Sequence, residues 1–263
     1  MYEFIYHKPA SLGDAASLLG NEDAKLVAGG MTLVPTLKLR LAKPSDLVDL
    51  ATIGELKGIK EEGGGLTIGA MTRHADVHRS DVVKRVIPAL AALAGLIGDP
   101  AVRNRGTIGG SIANNDPAAD YPSAVVGLGA TIVTTKREIA GEDFFTGMFE
   151  TALGQDEIVT AIKFPKPQAA AYQKFRNPAS RYAIVGVFVA RTDSGVRVAV
   201  TGAGPCVFRV PEMEAALAKS FSADAIKDIT ISDDRLNSDI HASAEYRAHL
   251  VGVMARRAVA ACV

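Results

Sequence analysis

Apolar positions change their spacing repeatedly along this chain, and each change marks an element. Leu12, Ala15, Ala16, Leu18 and Leu19 recur at helical spacing and stop at Gly20, with Ser11 and Asp14 as a capping-box-like start. Lys25 to Ala28 then reads as a short buried strand closed by Gly29-Gly30, after which Thr32 is expected to cap a helix carrying Leu33, Thr36, Leu37 and Arg40. Leu47 to Leu50 is a second buried strand, and the strand, helix, strand order predicts a small parallel sheet. Gly63, Gly64 and Gly65 break the chain, and Leu66 to Gly69 enters a different sheet.

Thr72 is expected to cap a short helix with His74 and His78, and Asp81 to begin a longer one through Val82, Val86, Leu90, Leu93 and Leu96. Histidines four apart on a helix can share a metal, but no third ligand stands nearby, so the pair reads as a solvated helix face. Tyr121 to Leu128 predicts a helix with Pro122 in its first turn, followed by strands at Ala130 to Thr134 and Glu157 to Phe164. Beyond Pro165 and Pro167 the pattern shifts. Ala183 to Ala190 and Val196 to Val200 flank Asp193-Ser194-Gly195 as a β-hairpin, Pro211 starts a helix, and Tyr246 to Ala260 forms a terminal one. The fold class is therefore α+β, with expected divisions at 1–59, 60–166 and 167–263.

Composition narrows the function. The 263 residues are 48% hydrophobic and 22% charged, with 29 basic and 29 acidic side chains, so no general field draws in nucleic acid or an anionic membrane. Cys206 and Cys262 stand too far apart for a zinc or iron–sulfur ligand set. The longest apolar run, Ala183 to Ala190, is too short to span a bilayer and reads as a central strand. The start of the sequence lacks the pattern of a secretory leader, and the chain reads as cytoplasmic.

Candidate chemistry gathers in two glycine stretches. Val27-Ala28-Gly29-Gly30-Met31-Thr32-Leu33 is one, and Thr107-Ile108-Gly109-Gly110-Ser111, continuing to Asn114, Pro117, Asp120 and Pro122, is the other. Adjacent glycines beside hydroxyls let an anion approach backbone N–H groups, so two such turns could hold a pyrophosphate from opposite sides. Either alone is more often an ordinary tight turn. Gly202-Ala203-Gly204 precedes Pro205, where a helix should open, and reads as a turn.

Together with the Tyr172, Lys174, Phe175 strand start and with Gly202-Ala203-Gly204-Pro205, Arg209 and Glu214, these stretches make the chain resemble the FAD-binding medium subunit of the bacterial molybdenum hydroxylases, the family of carbon monoxide dehydrogenase and xanthine dehydrogenase. The resemblance spans nearly the whole chain. It implies a two-subdomain FAD-binding domain of the PCMH/VAO type followed by a C-terminal antiparallel sheet-and-helix domain. It also implies a large molybdenum-cofactor subunit and a small iron–sulfur subunit as partners in a dimer of heterotrimers, with electrons passing from the clusters to FAD and on to an external acceptor.

The resemblance implies residue roles as well. Val27 to Leu33 and Thr107 to Ser111 would hold the diphosphate by backbone N–H groups and by the Thr32, Thr107 and Ser111 hydroxyls. Asn114 would belong to the same site, and Asp120 would accept from ribose or ribityl hydroxyls. Ile97 and Ile158 would give apolar cover, Lys174 would stabilise negative charge, and Tyr182 would gate acceptor access. Without it, Asp120 reads equally as a helix cap, Lys174 as a solvated strand end and Tyr182 as core packing. Arg181 stands where many relatives carry an aspartate, and Met31 where many are polar. A free-standing FAD-dependent oxidoreductase of the same fold is the alternative, but it needs an acid or base over the flavin, and neither glycine stretch contains a cysteine or histidine.

Overall fold

A computed structural model describes residues 1–262. Val263, the last residue of the expected third division, lies outside the described residues.

The first layer is a three-stranded parallel sheet of β1 (Ile5–His7), β2 (Lys25–Val27) and β3 (Asp46–Asp49), in the order β1-β3-β2. Helix α1 (Leu12–Leu18) connects β1 to β2, and Ser11 caps it by accepting from the Asp14 N–H at 3.1 Å. Helix α2 (Leu33–Lys38) connects β2 to β3. The parallel sheet agrees with the sequence expectation, but β1 was not foreseen, because its exposed Ile5 and Tyr6 give it no buried apolar pattern. Thr32 precedes α2 without a capping hydrogen bond from its side chain.

The second sheet has the order β4-β5-β10-β6-β7, formed by β4 (Ile59–Glu62), β5 (Gly65–Gly69), β6 (Thr131–Thr134), β7 (Glu138–Ala140) and β10 (Val159–Pro165), all antiparallel. A small hairpin of β8 (Phe145–Gly147) and β9 (Glu150–Thr151) follows the short helix α9 (Gly141–Phe144). Between β5 and β6 run α3 (His74–Arg79), α4 (Asp81–Val86), α5 (Pro88–Gly95), α6 (Pro100–Arg103), α7 (Ile108–Asn114) and α8 (Tyr121–Leu128).

Three expectations here are corrected. The helix expected from Asp81 to Leu96 is two helices, because Pro88 cannot continue one and Ile87 before it is driven out of the helical region. Thr72 does not cap α3; its hydroxyl binds the Gly58 backbone at 3.1 Å. His74 and His78 do not share a solvated face, since His74 is buried and His78 is exposed.

The third sheet is antiparallel, in the order β11 (Ala169–Arg176), β12 (Ala183–Thr192), β13 (Gly195–Thr201), β14 (Phe208–Arg209). Helices α10 (Pro211–Lys219) and α11 (Ala244–Ala261) complete it. Both faces of β12 are covered. Val185, Val187 and Val189 pack with Val198, Val200, Met213, Val251 and Met254, whereas Phe188 and Ala190 join Tyr172, Ala199, Tyr121 and Leu90 in the core of the second sheet and its helices. Burial on both faces is why Ala183 to Ala190 reads as an unbroken apolar run rather than an alternation. A smaller core of Ala15, Leu19, Val48, Leu50, Ile53 and Leu56 also takes in Met71 and Ile158, tying the first sheet to the second.

Candidate functional site

The two glycine stretches lie side by side although 77 positions of chain order separate their numbers 29 and 106. The contact runs through Gly29. A Cβ on it would stand 2.2 Å from the Arg105 carbonyl oxygen and 2.7 Å from the Gly106 Cα, so only glycine allows this approach of backbone to backbone. The second stretch is fixed from below by Thr107, which caps α7 by accepting from the Gly110 N–H at 3.2 Å, and by the pairing of Arg73 with Thr107.

These turns form one wall of a cavity of about 540 Å³, within the range of roughly 300–1,000 Å³ usual for small-molecule sites. It brings together Ala28, Gly29, Gly30, Met31, Thr32, Leu33, Ile97, Thr107, Gly109, Gly110, Ser111, Asn114, Asp120, Ile158 and Tyr182. Three sequence-predicted residues stand elsewhere. Val27 faces a smaller hollow of about 260 Å³ on the other side of the first glycine turn. Ile108 is fully buried, with its N–H donated to the Thr72 carbonyl at 3.0 Å. Lys174 lies behind Asp120.

The stretches differ in what they offer an anion. Among the described residues, the N–H groups of Gly29, Gly30, Met31, Thr32 and Leu33 have no acceptor in the chain, and this row borders the cavity. In the second stretch the N–H groups of Ile108, Gly109, Gly110 and Ser111 are engaged by Thr72, Ala70 and Thr107. The first turn is thus the donor row, and the second contributes a side-chain-free surface and the Ser111 hydroxyl. That arrangement, in an otherwise largely apolar cavity, fits the diphosphate and flat rings of a dinucleotide.

Asp120 and Lys174 form a buried ion pair at 2.9 Å, with Tyr172 donating to Asp120 Oδ1 at 2.5 Å and the Lys174 ammonium also donating to the Leu96 carbonyl at 3.1 Å. Burial pushes the Asp120 carboxyl upward, and Lys174 and Tyr172 oppose that shift. Asp120 makes no helix cap, and Lys174 is no solvated strand end. Tyr182 is 46% exposed, which removes the core-packing reading. It sits after Arg181, a residue at φ 64, on a turn stapled by Asn177, whose Oδ1 accepts from the Ala179 and Ser180 N–H groups. Burial at the cavity raises the Tyr182 hydroxyl pKa, with Asp116 and Asp120 adding to it.

The cavity also contains His74, Met71, Asp116, Phe149 and Arg181, none of which was assigned to the site from sequence. His74 arrives through the Arg73–Thr107 pairing, a contact between distant segments that no local pattern signals. Its imidazole is held down at about 4, first by burial and then by the Arg103 charge, and its Nδ1 has no partner. No group of three or more His, Cys, Asp or Glu suited to a metal exists among the described residues, and no helix among them is long and apolar enough to cross a membrane.

Comparison with known proteins agrees with this geometry. Residues 2–167 match the family described as the FAD binding domain in molybdopterin dehydrogenase, and residues 170–262 match the CO dehydrogenase flavoprotein C-terminal domain. The chain is 37% identical to the carbon monoxide dehydrogenase medium chain of Hydrogenophaga pseudoflava, covering 97% of this chain and 96% of that one. It is 36% identical to the nicotine 6-hydroxylase medium subunit of Paenarthrobacter nicotinovorans, covering 97% and 95%. A solved structure of the Hydrogenophaga pseudoflava carbon monoxide dehydrogenase superposes with a TM-score of 0.90 at 38% identity, covering 99% of this chain and 97% of that one. Two matched domains over almost the full length, the first of them holding both glycine stretches that meet at the cavity, show that the chain belongs to the FAD-binding medium subunits of the molybdenum hydroxylases, multi-subunit oxidoreductases.

Proposed function

We propose that this subunit links the iron–sulfur clusters of a small partner subunit to an external electron acceptor, in a dimer of heterotrimers whose large subunit carries the molybdenum cofactor. The observation that carries this reading is the cavity itself, which has a row of free N–H groups at one glycine turn and an exposed Tyr182 beside Arg181 at its edge. The same reading divides the chain into FAD-binding subdomains at 1–59 and 60–166 and a C-terminal domain at 167–263, and places it in the cytoplasm.

FAD supplies the redox chemistry of the site when it is bound. The chain's part is to hold and shield it. Gly29 to Leu33 donate to the diphosphate, while Thr107, Gly109, Gly110, Ser111 and Asn114 present a close surface to it. Val27 and Ile108 support the two turns from outside the cavity. Asp120, fixed by Lys174 and Tyr172, presents a carboxylate edge to sugar hydroxyls. Ile97 and Ile158 exclude water, and Tyr182 stands where an acceptor would enter.

The test uses the complex assembled with its large and small subunits, with and without FAD. The iron–sulfur clusters are reduced chemically and their reoxidation by an added dye acceptor is followed by absorbance. Reoxidation should be fast only in the FAD-loaded complex. Equal rates with and without FAD would remove this subunit from the electron path.

A further inference from the structure

The turn between β8 and β9 is made of two residues, Met148 and Phe149, and Phe149 adopts φ 57. That left-handed conformation suits glycine or asparagine; for a bulky aromatic residue it is an outlier. Burial does not explain the choice, because Phe149 is 56% exposed. A glycine would relax the backbone and remove an exposed apolar ring at once. The aromatic side chain is therefore kept against both local preferences, which points to a use outside the turn.

Phe149 is one of the residues lining the cavity. Its position is set by Asn115, which follows α7 directly, is 1% exposed and is itself left-handed at φ 42. The Asn115 side-chain amide donates to the Gly147 and Glu150 carbonyls, each at 2.8 Å, and the Asn115 carbonyl accepts from the Phe149 N–H at 3.1 Å. One buried residue at the end of the helix bearing the second glycine stretch thus clamps both strands and the tip of the hairpin. Whatever fixes α7 also fixes the backbone of Phe149 at the cavity.

We propose that Phe149 is a positioning residue whose ring packs against a planar heteroaromatic ring of the FAD, with Asn115 as the clamp that aims it. This rests on the cavity being the FAD site. Aromatic packing of this kind needs a flat π-face and a fixed approach, and the clamped hairpin supplies both.

The experiment compares wild type, Phe149→Gly, Phe149→Tyr and Asn115→Ala in the complex with the partner subunits, measuring FAD affinity, the visible absorption and circular dichroism of the bound flavin, and the melting temperature of the FAD-free form. Phe149→Gly should raise the melting temperature of the FAD-free form, because the strained turn relaxes, yet weaken FAD roughly tenfold. Phe149→Tyr should restore affinity. Asn115→Ala should lower both. An altered flavin spectrum in Phe149→Gly assigns the isoalloxazine as the ring it packs against, and weaker affinity with an unchanged spectrum assigns the adenine. Unchanged affinity and spectrum in Phe149→Gly, with wild type binding FAD normally, would overturn the proposal alone. Failure of the wild-type complex to bind FAD in this cavity would overturn it together with the reading on which it rests.

Discussion

Lys174 grips Asp120 with its ammonium 2.9 Å from Oδ1 and 3.0 Å from Oδ2, and the two side chains are 2% and 4% exposed. Asp120 precedes α8 and Lys174 lies on β11, so the pair joins the second sheet's helices to the third sheet. Removing one partner of a buried pair leaves the other charge uncompensated. Lys174→Met is therefore expected to destabilise the FAD-free chain by about 3–5 kcal/mol, and Asp120→Asn by a similar amount. The double variant should cost clearly less than the sum. Denaturant unfolding of the four proteins checks this, and strict additivity would show that the pair is not coupled.

This ion pair also marks a limit on what the sequence reveals. The glycine stretches announce themselves as a pair, because either Gly-Gly alone reads as an ordinary tight turn but two beside hydroxyls suit an anion held from two sides, and most of the residues chosen on that basis do line one cavity. The partner of Lys174 is set instead by the packing of β11 against α5 and of α8 against β12 and β13, which no spacing encodes, so a residue expected to stabilise negative charge on the cofactor is paired with a carboxylate of its own chain. His74 and Phe149 were missed for the same reason, since each reaches the cavity through pairing with a distant segment. The strongly apolar strands β3, β5 and β12 were legible; the exposed β1 and the short hairpin of β8 and β9 were not.

Gly29 offers a test of the contact between the two glycine turns. Gly29→Ala places its Cβ 2.2 Å from a backbone oxygen, which no rotamer change relieves, so the turns must separate. The expected cost is about 1–3 kcal/mol of stability, with FAD affinity falling at least roughly tenfold. Gly54→Ala, where a Cβ meets nothing within 4 Å, is the control and should behave as wild type. FAD titration and thermal melts of both variants decide it, and a Gly29→Ala protein that binds FAD normally would rule out the close approach.

Thr107 fixes the start of α7 in two ways. Its hydroxyl accepts from the Gly110 N–H, and its backbone pairs with Arg73. Thr107→Ala should cost about 1 kcal/mol through loss of the cap, and Thr107→Ser should recover most of it. Equal melting temperatures for the Ala and Ser variants would show that the hydroxyl does not matter.

His74 gives the chain an acid-sensitive step. Burial and the nearby Arg103 charge hold its imidazole at about 4 in the folded protein, against 6.5 when exposed. Between those values the unfolded chain binds the proton and the folded one does not. Stability from this group is therefore fully present above pH 6.5 and is lost as the pH falls toward 4, at up to roughly 1.4 kcal/mol per pH unit. Glu157 acts in a separate window. Arg137, Thr134 and the Gly154 N–H hold its carboxyl at about 2, so its contribution is complete above 4.5 and fades only below that. Asp116 and Asp120 act in the opposite direction, because burial raises them and the folded chain takes up their protons first. Their effect is common to wild type and variant and cancels in the comparison. His74→Gln should thus flatten the dependence of unfolding free energy on pH between 6.5 and 4 while leaving the steeper loss below 4.5 that Glu157→Gln removes. Urea unfolding at half-unit pH steps measures both slopes, and a His74→Gln protein with the wild-type slope above pH 4.5 would mean that the buried imidazole already carries its proton.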